Sequence, residues 1–293
     1  MMISSIYIIG HKGWIGSMYL KLFEERNIKY YYSDFRGESN QIKKDILDKG
    51  VSHVLCCMGR THGNRDGVEY TTIDYLQDNS VLHQNVNDNL YVPVSLALFC
   101  DKHNIHFTYM GTGCIYNYDN NHQINGIGFT EEDEPNFFGS NYSIVKGHTN
   151  NLMMYTNALT LRIRMPITSC QSSRNFIKKI TSYEYICSIE NSMSVLPELL
   201  PLSIIMMENK DTGIYNFTNP GSISHNRILE MYKEIVDPDF TWKNFDIEEQ
   251  DKILSSKRSN NLMNTNKLTN KYHVDNIYIA IKKILERMVK KNQ

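Results

Sequence analysis

The chain has 293 residues, enough for one or two domains of ordinary size. Its 31 Lys and Arg against 32 Asp and Glu give a formal net charge of −1, so overall charge predicts neither nucleic-acid nor membrane-surface binding. A hydrophobic content of 41% excludes a disordered chain, and no apolar run reaches the roughly 20 residues of a membrane helix.

The six cysteines form no C-x-x-C pair, so we predict no metal site and no dithiol redox centre. Segment 1–5 has no basic flank and leads directly into an apolar stretch, which argues against a secretory signal peptide. Reduced thiols and a cytoplasmic location are therefore expected.

Short apolar strands alternate with helical patterns over the first 170 residues. The predicted strands are 5–9, 28–33, 51–57, 105–110 and 159–164. The predicted helices, with apolar residues at helical spacing, are 14–23, 79–104 and 142–156. This alternation is typical of an α/β fold, a Rossmann-type doubly wound parallel sheet with helices on both faces.

The pattern changes after about residue 170, where helical segments predominate. These segments are 174–182, 195–208, 223–235 and 277–290, with one short strand at 214–218. We therefore predict a dinucleotide-binding domain over 1–170 and a smaller, mostly helical substrate domain over 171–293. Part of 190–220 can belong to the first domain instead of the second.

A glycine-rich turn, 10–16, joins the first predicted strand to the first helix. Glycine is required in such a turn because the backbone bends sharply and approaches a pyrophosphate closely. The helix N-terminus then attracts the negative charge. The turn predicts a dinucleotide site whose contacts are Gly10, Gly13, Trp14, Ile15 and Gly16.

Two charged residues after the second strand bear on which dinucleotide binds. Asp34 can accept hydrogen bonds from a ribose 2′-hydroxyl, which favours NADH. Arg36 can pair with a 2′-phosphate, which favours NADPH. The two residues favour different cofactors; we favour NADPH and keep NADH as the alternative.

Tyr142 and Lys146 stand four residues apart in a predicted helix, which places them on one face, one turn apart. A phenol is a poor acid or base at neutral pH. We therefore expect the Lys146 ammonium to lower the Tyr142 pKa toward the working pH. Thr112, just past the strand 105–110, can hold a carbonyl oxygen beside the phenol.

Together these motifs resemble the extended short-chain dehydrogenase/reductases that act on nucleotide sugars. The sequence is most similar to the bifunctional 3,5-epimerase/4-reductases that make nucleotide-linked L-rhamnose from a 4-keto-6-deoxyglucose nucleotide. The similarity extends over almost the whole chain. It is carried by the segments 13–16, 112–116, 126–129, 131–133, 161–167, 174–177, 213–220, 224–226, 241–245 and 258–261.

The resemblance implies a role for each matching side chain. Thr112, Tyr142 and Lys146 correspond to the reductase triad, and Cys114 corresponds to the epimerase base. Lys179 corresponds to the opposing acid, although a one-residue slip would select Lys178 instead.

Chemistry agrees with the implied roles, since a 4-keto group acidifies the hydrogens on C3 and C5. A base on one face of the sugar and a proton donor on the other can then invert each carbon. Cys114 lies two residues past Thr112, so in an extended segment both side chains would face the same way. A thiol is activated by nearby positive charge.

The resemblance extends to the rest of the site. The family's Ala-Ala-Gly after the third strand is Cys57-Met58-Gly59 here, so the turn glycine is kept beside the cofactor. Asn175 and Arg258 are candidates for the substrate diphosphate, with Arg258 preferred for its bidentate fork. UDP is favoured over dTDP, an upstream 4,6-dehydratase is implied as pathway partner, and a homodimer is common in the superfamily.

Two alternatives stay open. One is a reductase that receives an epimerised sugar from another enzyme and has no need of Cys114 or Lys179. The other is a non-catalytic nucleotide-binding subunit that regulates a partner, against which the intact triad argues.

Overall fold

A computed structural model describes residues 3–292. Met1 and Met2, on which part of the signal-peptide expectation rests, lie outside the described residues. The strands are β1 (Ile6–Ile9), β2 (Tyr30–Tyr31), β3 (His53–Cys56), β4 (Gly63–Arg65), β5 (Val68–Tyr70), β6 (His106–Thr112), β7 (Leu159–Ile163), β8 (Tyr185–Ile186), β9 (Gly213–Asn216) and β10 (Lys243–Asn244).

Six strands form the main sheet in the order β2-β1-β3-β6-β7-β9. The pairings of β1 with β2, β1 with β3 and β3 with β6 are parallel. Two further pairs are short: β4 and β5 form an antiparallel hairpin, and β8 pairs with β10 in parallel. The strand order confirms the predicted α/β, Rossmann-type parallel sheet.

Helices connect the strands. They are α1 (Trp14–Glu25), α2 (Asn40–Asp48), α3 (Leu82–Val86), α4 (Val92–Lys102), α5 (Asn141–Met153), α6 (Phe176–Ile180), α7 (Leu196–Glu208), α8 (His225–Ile235), α9 (Ile247–Ile253), α10 (Asn266–Thr269) and α11 (Ile277–Asn292). Over residues 3–292 no helix is both long enough and apolar enough to cross a membrane.

The central strands present alternate side chains to the two faces of the sheet. On one face, Tyr7, Val54 and Tyr109 share an apolar cluster with residues of α2 and α4. On the other face, the His53 Nε2 donates to the Met207 carbonyl of α7 at 3.0 Å. Both faces of β1, β3 and β6 are therefore covered.

The chain divides into two compact units. The first comprises Met1–Ile115, Phe137–Arg162 and Leu200–Tyr215, and it contains most of the main sheet. The second comprises Tyr116–Asn136, Ile163–Leu199 and Asn216–Gln293. Its apolar core joins α6, α8 and α11, which gives this unit its helical character. Leu200–Tyr215, within the range 190–220 of which part was expected to belong to the first domain, lies in the first unit, whereas the sequence did not predict that Tyr116–Asn136 lies in the second.

The predicted helix 79–104 is not one continuous α-helix. A π-helical segment, Asn87–Tyr91, separates α3 from α4. Pro93 follows it and has no N–H to donate to the Asn89 carbonyl, four residues earlier. That carbonyl instead accepts a hydrogen bond of 2.6 Å from the Thr149 hydroxyl of α5. Pro93 thus removes one hydrogen bond of the helix, and a hydrogen bond from α5 takes its place.

Because His53 is buried, we expect the stability of the fold to depend on pH. Burial, and secondarily the nearby His106, lower its pKa from 6.5 to about 4. Between these values the unfolded chain binds a proton that the folded protein does not, so stability falls as the pH falls below 6.5. At pH 5 the loss from this group is about 2 kcal/mol.

We expect His53→Gln, which keeps a donor for the Met207 carbonyl, to remove that part of the pH dependence. Urea unfolding at pH 7 and pH 5 measures the difference. The exposed His148→Gln serves as the matched control. If the unfolding free energy fell by the same amount between pH 7 and pH 5 in wild type and in His53→Gln, His53 would not be the source of this pH dependence.

Candidate active site

The glycine turn is as tight as its sequence predicts. Gly10 has φ 83°, a left-handed conformation that favours glycine. A Cβ on Gly16 would lie 2.2 Å from the Gly10 carbonyl oxygen, which leaves no room for a side chain. No side chain caps the Gly13 end of α1 in the described structure, so its first N–H groups are positioned for an anionic ligand. The turn therefore fits a pyrophosphate.

The loop after β3, which contains Gly59, is fixed by the π-helical segment. The Asn89 amide accepts from the Arg60 N–H and donates to the Arg60 carbonyl, both at 2.9 Å. The Arg60 side chain pairs with the buried Asp88 at 2.6 Å. Gly59 was predicted from the sequence, but these contacts of Arg60 were not, since its partners Asp88 and Asn89 lie 28 and 29 residues further along the chain.

Charges after β2 are paired within the first unit. The Lys12 Nζ lies 2.5 Å from an Asp34 carboxylate oxygen, and this hydrogen bond lowers the Asp34 pKa. Arg36 pairs with Glu38 at 2.8 Å. A cleft of about 580 Å³ opens beside them and is lined by Arg36, Glu38, Arg60, His83, Gln84 and Asn87. Lys12 pairs with Asp34 and Arg60 pairs with Asp88, and neither cation was assigned to this region from the sequence.

The predicted triad comes together where β6 meets α5. Ser140 caps α5, its hydroxyl accepting from the Ser143 N–H at 3.1 Å. Tyr142 and Lys146 are buried on the helix. Thr112 is the last residue of β6, and its hydroxyl lies close enough to the Tyr142 phenol to lower the phenol's pKa. Strand end and helix start therefore place a hydroxyl and a phenol in contact.

The expected net lowering of the Tyr142 pKa toward the working pH is wrong. Burial, and then the neighbouring Cys114, raise the Tyr142 pKa, while the Thr112 hydrogen bond lowers it only in part. The Lys146 ammonium donates instead to the Tyr109 hydroxyl and lies 4.5 Å from the Tyr109 ring centroid. Burial lowers the Lys146 pKa to about 8. The buried pair thus favours a protonated phenol.

Cys114 lies beside the triad, but for a different reason than sequence analysis gave. The chain turns after Thr112 rather than staying extended, and the Cys114 N–H donates to the Thr112 hydroxyl at 3.1 Å. The half-buried thiol interacts electrostatically with both Tyr142 and Lys146. It also packs against an apolar cluster that includes Tyr75. The Cys114 thiol therefore lies beside the side chains of Tyr142 and Lys146.

The second unit distinguishes the two candidate lysines. Lys178 is exposed, whereas Lys179 is half-buried on α6. Burial, then Arg174 and Arg258, lower the Lys179 pKa. Three cationic side chains therefore interact in this unit. Arg174 was missed, although it directly precedes Asn175 in one of the matching segments.

The structure corrects the assignment of Asn175 to the diphosphate. Its Oδ1 accepts from the Thr168 N–H at 3.1 Å. Its Nδ2 donates to the carbonyls of Thr168 and Cys170 at 2.9 and 2.8 Å. Both amide protons are committed to backbone, so this side chain holds the 168–175 loop. Arg258 donates to the Ser256 carbonyl at 2.8 Å.

The parallel sheet, the glycine turn and the Thr112, Tyr142 and Lys146 constellation define a nucleotide-binding oxidoreductase of the short-chain dehydrogenase/reductase type. No protein-family model matches the chain. The chain is 47% identical over 285 residues to the uncharacterized protein L780 of Acanthamoeba polyphaga mimivirus, covering 96% of this chain and 97% of that protein. The crystal structure of the L780 UDP-rhamnose synthase matches with a TM-score of 0.93 and 46% identity, covering 98% and 100% of the two chains.

Plant enzymes are also similar. A bifunctional dTDP-4-dehydrorhamnose 3,5-epimerase/dTDP-4-dehydrorhamnose reductase of Arabidopsis thaliana is 44% identical over 269 residues, covering 90% of this chain and 86% of the relative. A trifunctional UDP-glucose 4,6-dehydratase/UDP-4-keto-6-deoxy-D-glucose 3,5-epimerase/UDP-4-keto-L-rhamnose-reductase of the same plant is 40% identical, over 39% of its own length. The chain belongs to the family of nucleotide-sugar 3,5-epimerase/4-reductases.

Proposed function

We propose that this chain converts UDP-4-keto-6-deoxy-D-glucose to UDP-L-rhamnose, by epimerisation at C3 and C5 and then reduction of the C4 ketone. The observation that carries this proposal is the Cys114 thiol beside Tyr142 and Lys146. A simple reductase has no use for a thiol at that place. The similarity to the mimivirus and plant enzymes supports the substrate class.

Epimerisation needs a base, an acid and a group that stabilises the enolate. The Cys114 thiolate removes the proton from C3 or C5, and the electron pair delocalises onto the C4 oxygen. The hydroxyls of Thr112 and Tyr142 donate hydrogen bonds to that oxygen. Lys179 returns a proton from the other face, which inverts the carbon, and solvent then restores both groups.

Reduction uses the same oxygen-binding pair. When bound, the nicotinamide supplies hydride to C4. Tyr142 gives its proton to the C4 oxygen, and its raised pKa keeps the phenol protonated until that transfer. The Lys146 ammonium stabilises the phenolate that Tyr142 becomes. Burial of the pair strengthens that stabilisation.

We assign NADPH as the cofactor, with NADH as the alternative. The Gly10, Gly13 and Gly16 turn would hold the pyrophosphate, with the Gly59 loop alongside. Lys12 neutralises Asp34, the residue that would otherwise favour NADH. Arg36, on the polar cleft, would pair with the 2′-phosphate.

The proposed substrate is the product of a 4,6-dehydratase, so such an enzyme must act upstream. Arg258 and Arg174 are proposed to bind the diphosphate, where their charge also acts on Lys179. A homodimer, a cytoplasmic location and the choice of UDP over dTDP belong to the same proposal.

The Cys114→Ala variant separates the two reactions. We expect solvent deuterium incorporation at C3 and C5 to fall about 100-fold or more, because the base is lost. Reduction of pre-epimerised UDP-4-keto-L-rhamnose should stay within about threefold of wild type, since the triad is intact. NMR of the sugar measures both. Cys187→Ala, a buried thiol of the second unit, is the control. Wild-type deuterium exchange in Cys114→Ala would overturn the assignment and leave the reductase alternative.

The adjacent lysines supply a matched pair of variants. We expect Lys179→Met to slow deuterium exchange about 100-fold, because the proton donor is lost, while Lys178→Met stays within about twofold. Reduction of the pre-epimerised substrate should survive in both. The reverse pattern would assign the acid to Lys178.

Cofactor preference is tested at Arg36. We expect Arg36→Ala to raise the KM for NADPH about tenfold, through loss of a charge-assisted contact, and to leave the KM for NADH within about twofold. Steady-state kinetics with each cofactor gives the ratio, and the exposed Arg26→Ala controls for net charge. An equal change for both cofactors would exclude Arg36 from 2′-phosphate recognition.

A further inference from the structure

Lys146 is a buried cation whose polar partner is a tyrosine. Its side chain is 3% exposed, and within residues 3–292 no carboxylate forms an ion pair with it. Its Nζ donates to the Tyr109 hydroxyl, and the Tyr109 ring centroid lies 4.5 Å away. The ammonium thus meets the hydroxyl oxygen of a buried aromatic side chain.

The sheet explains why Tyr109 is in place. Tyr109 lies on β6, three residues before Thr112, and shares its face of the sheet with Cys56 of β3. Met153, at the end of α5, belongs to the same cluster. Tyr109 is 1% exposed, so neighbouring strands and helices hold its ring rigidly.

The other ionisable groups near Lys146 do not replace Tyr109. Cys56 comes from β3, Cys114 follows β6, and Tyr142 lies one turn earlier on α5. Asp88, from the π-helical segment that contacts α5, is paired with Arg60 at 2.6 Å. Burial raises the pKa of Tyr109, so its neutral hydroxyl is available to accept from the ammonium.

We propose that Tyr109 is a positioning residue for the reductase step, which holds the charged form of Lys146 in place through its hydroxyl. The kinetic part of this inference rests on the proposed function. Tyr109 touches neither hydride nor ketone; it acts through Lys146, whose positive charge stabilises the phenolate of Tyr142. Burial opposes this charge, and the hydrogen bond to the Tyr109 hydroxyl favours it.

Tyr109→Phe keeps the ring and removes the oxygen that accepts the hydrogen bond. A hydrogen bond to the charged form favours that form, so its loss lets Lys146 lose its proton at lower pH. We expect the Lys146 titration to move down by about one pH unit, a tenfold change in the equilibrium. Reductase kcat should then fall about fivefold or more at pH 8 and change less than about twofold at pH 6.

The titration is measured directly on protein carrying lysine labelled with ¹³C at Cε, by NMR between pH 6 and 10. The Lys146→Arg variant identifies the Lys146 resonance. Tyr19→Phe is the matched control, since Tyr19 is equally buried in the first unit and its hydroxyl lies 2.6 Å from that of Ser203.

A downward shift in Tyr109→Phe, absent in Tyr19→Phe, supports the proposal. An unchanged Lys146 titration in folded Tyr109→Phe overturns it, as does an equal shift in Tyr19→Phe. Because this readout needs no substrate, it stands even if wild-type enzyme fails to reduce the keto sugar, an outcome that would contradict the proposed function alone.

Discussion

The chemistry depends on how α5 is fixed against the carboxyl end of β6. Ser140 caps the helix, and the Thr149 hydroxyl ties it to the Asn89 carbonyl left free by Pro93. The helix therefore presents Tyr142 to the last residue of β6, Thr112, and Lys146 to Tyr109 within it. Local capping, a proline and buried contacts together fix a phenol and an ammonium on a rigid element.

Burial of this pair sets its proton chemistry. Taking both groups out of water favours their neutral forms, so the Tyr142 pKa rises and that of Lys146 falls to about 8. A fully protonated phenol is suited to give its proton to a ketone oxygen. The same surroundings oppose the positive charge that must stabilise the phenolate, which makes a partner for Lys146 necessary.

Sequence succeeded where the requirement is local. The Gly10 turn follows from backbone geometry, and the spacing of Tyr142 and Lys146 follows from one helical turn. Prediction from the sequence failed where the partner of a side chain lies far along the chain. A buried tyrosine on a strand, such as Tyr109, has the sequence signature of a core residue, and only the folded chain shows what its hydroxyl meets. The prediction for Asn175 was wrong for the same reason. The sequence does not distinguish an amide that hydrogen-bonds to backbone groups from one that binds a ligand.

One measurement tests the central claim most directly. Wild-type enzyme is given UDP-4-keto-6-deoxy-D-glucose and NADPH in D₂O, and the product sugar is analysed by NMR. The account predicts UDP-L-rhamnose with deuterium at C3 and C5 and protium from the cofactor at C4. A reduced sugar that keeps the D-gluco configuration and carries no deuterium at C3 or C5 would contradict it.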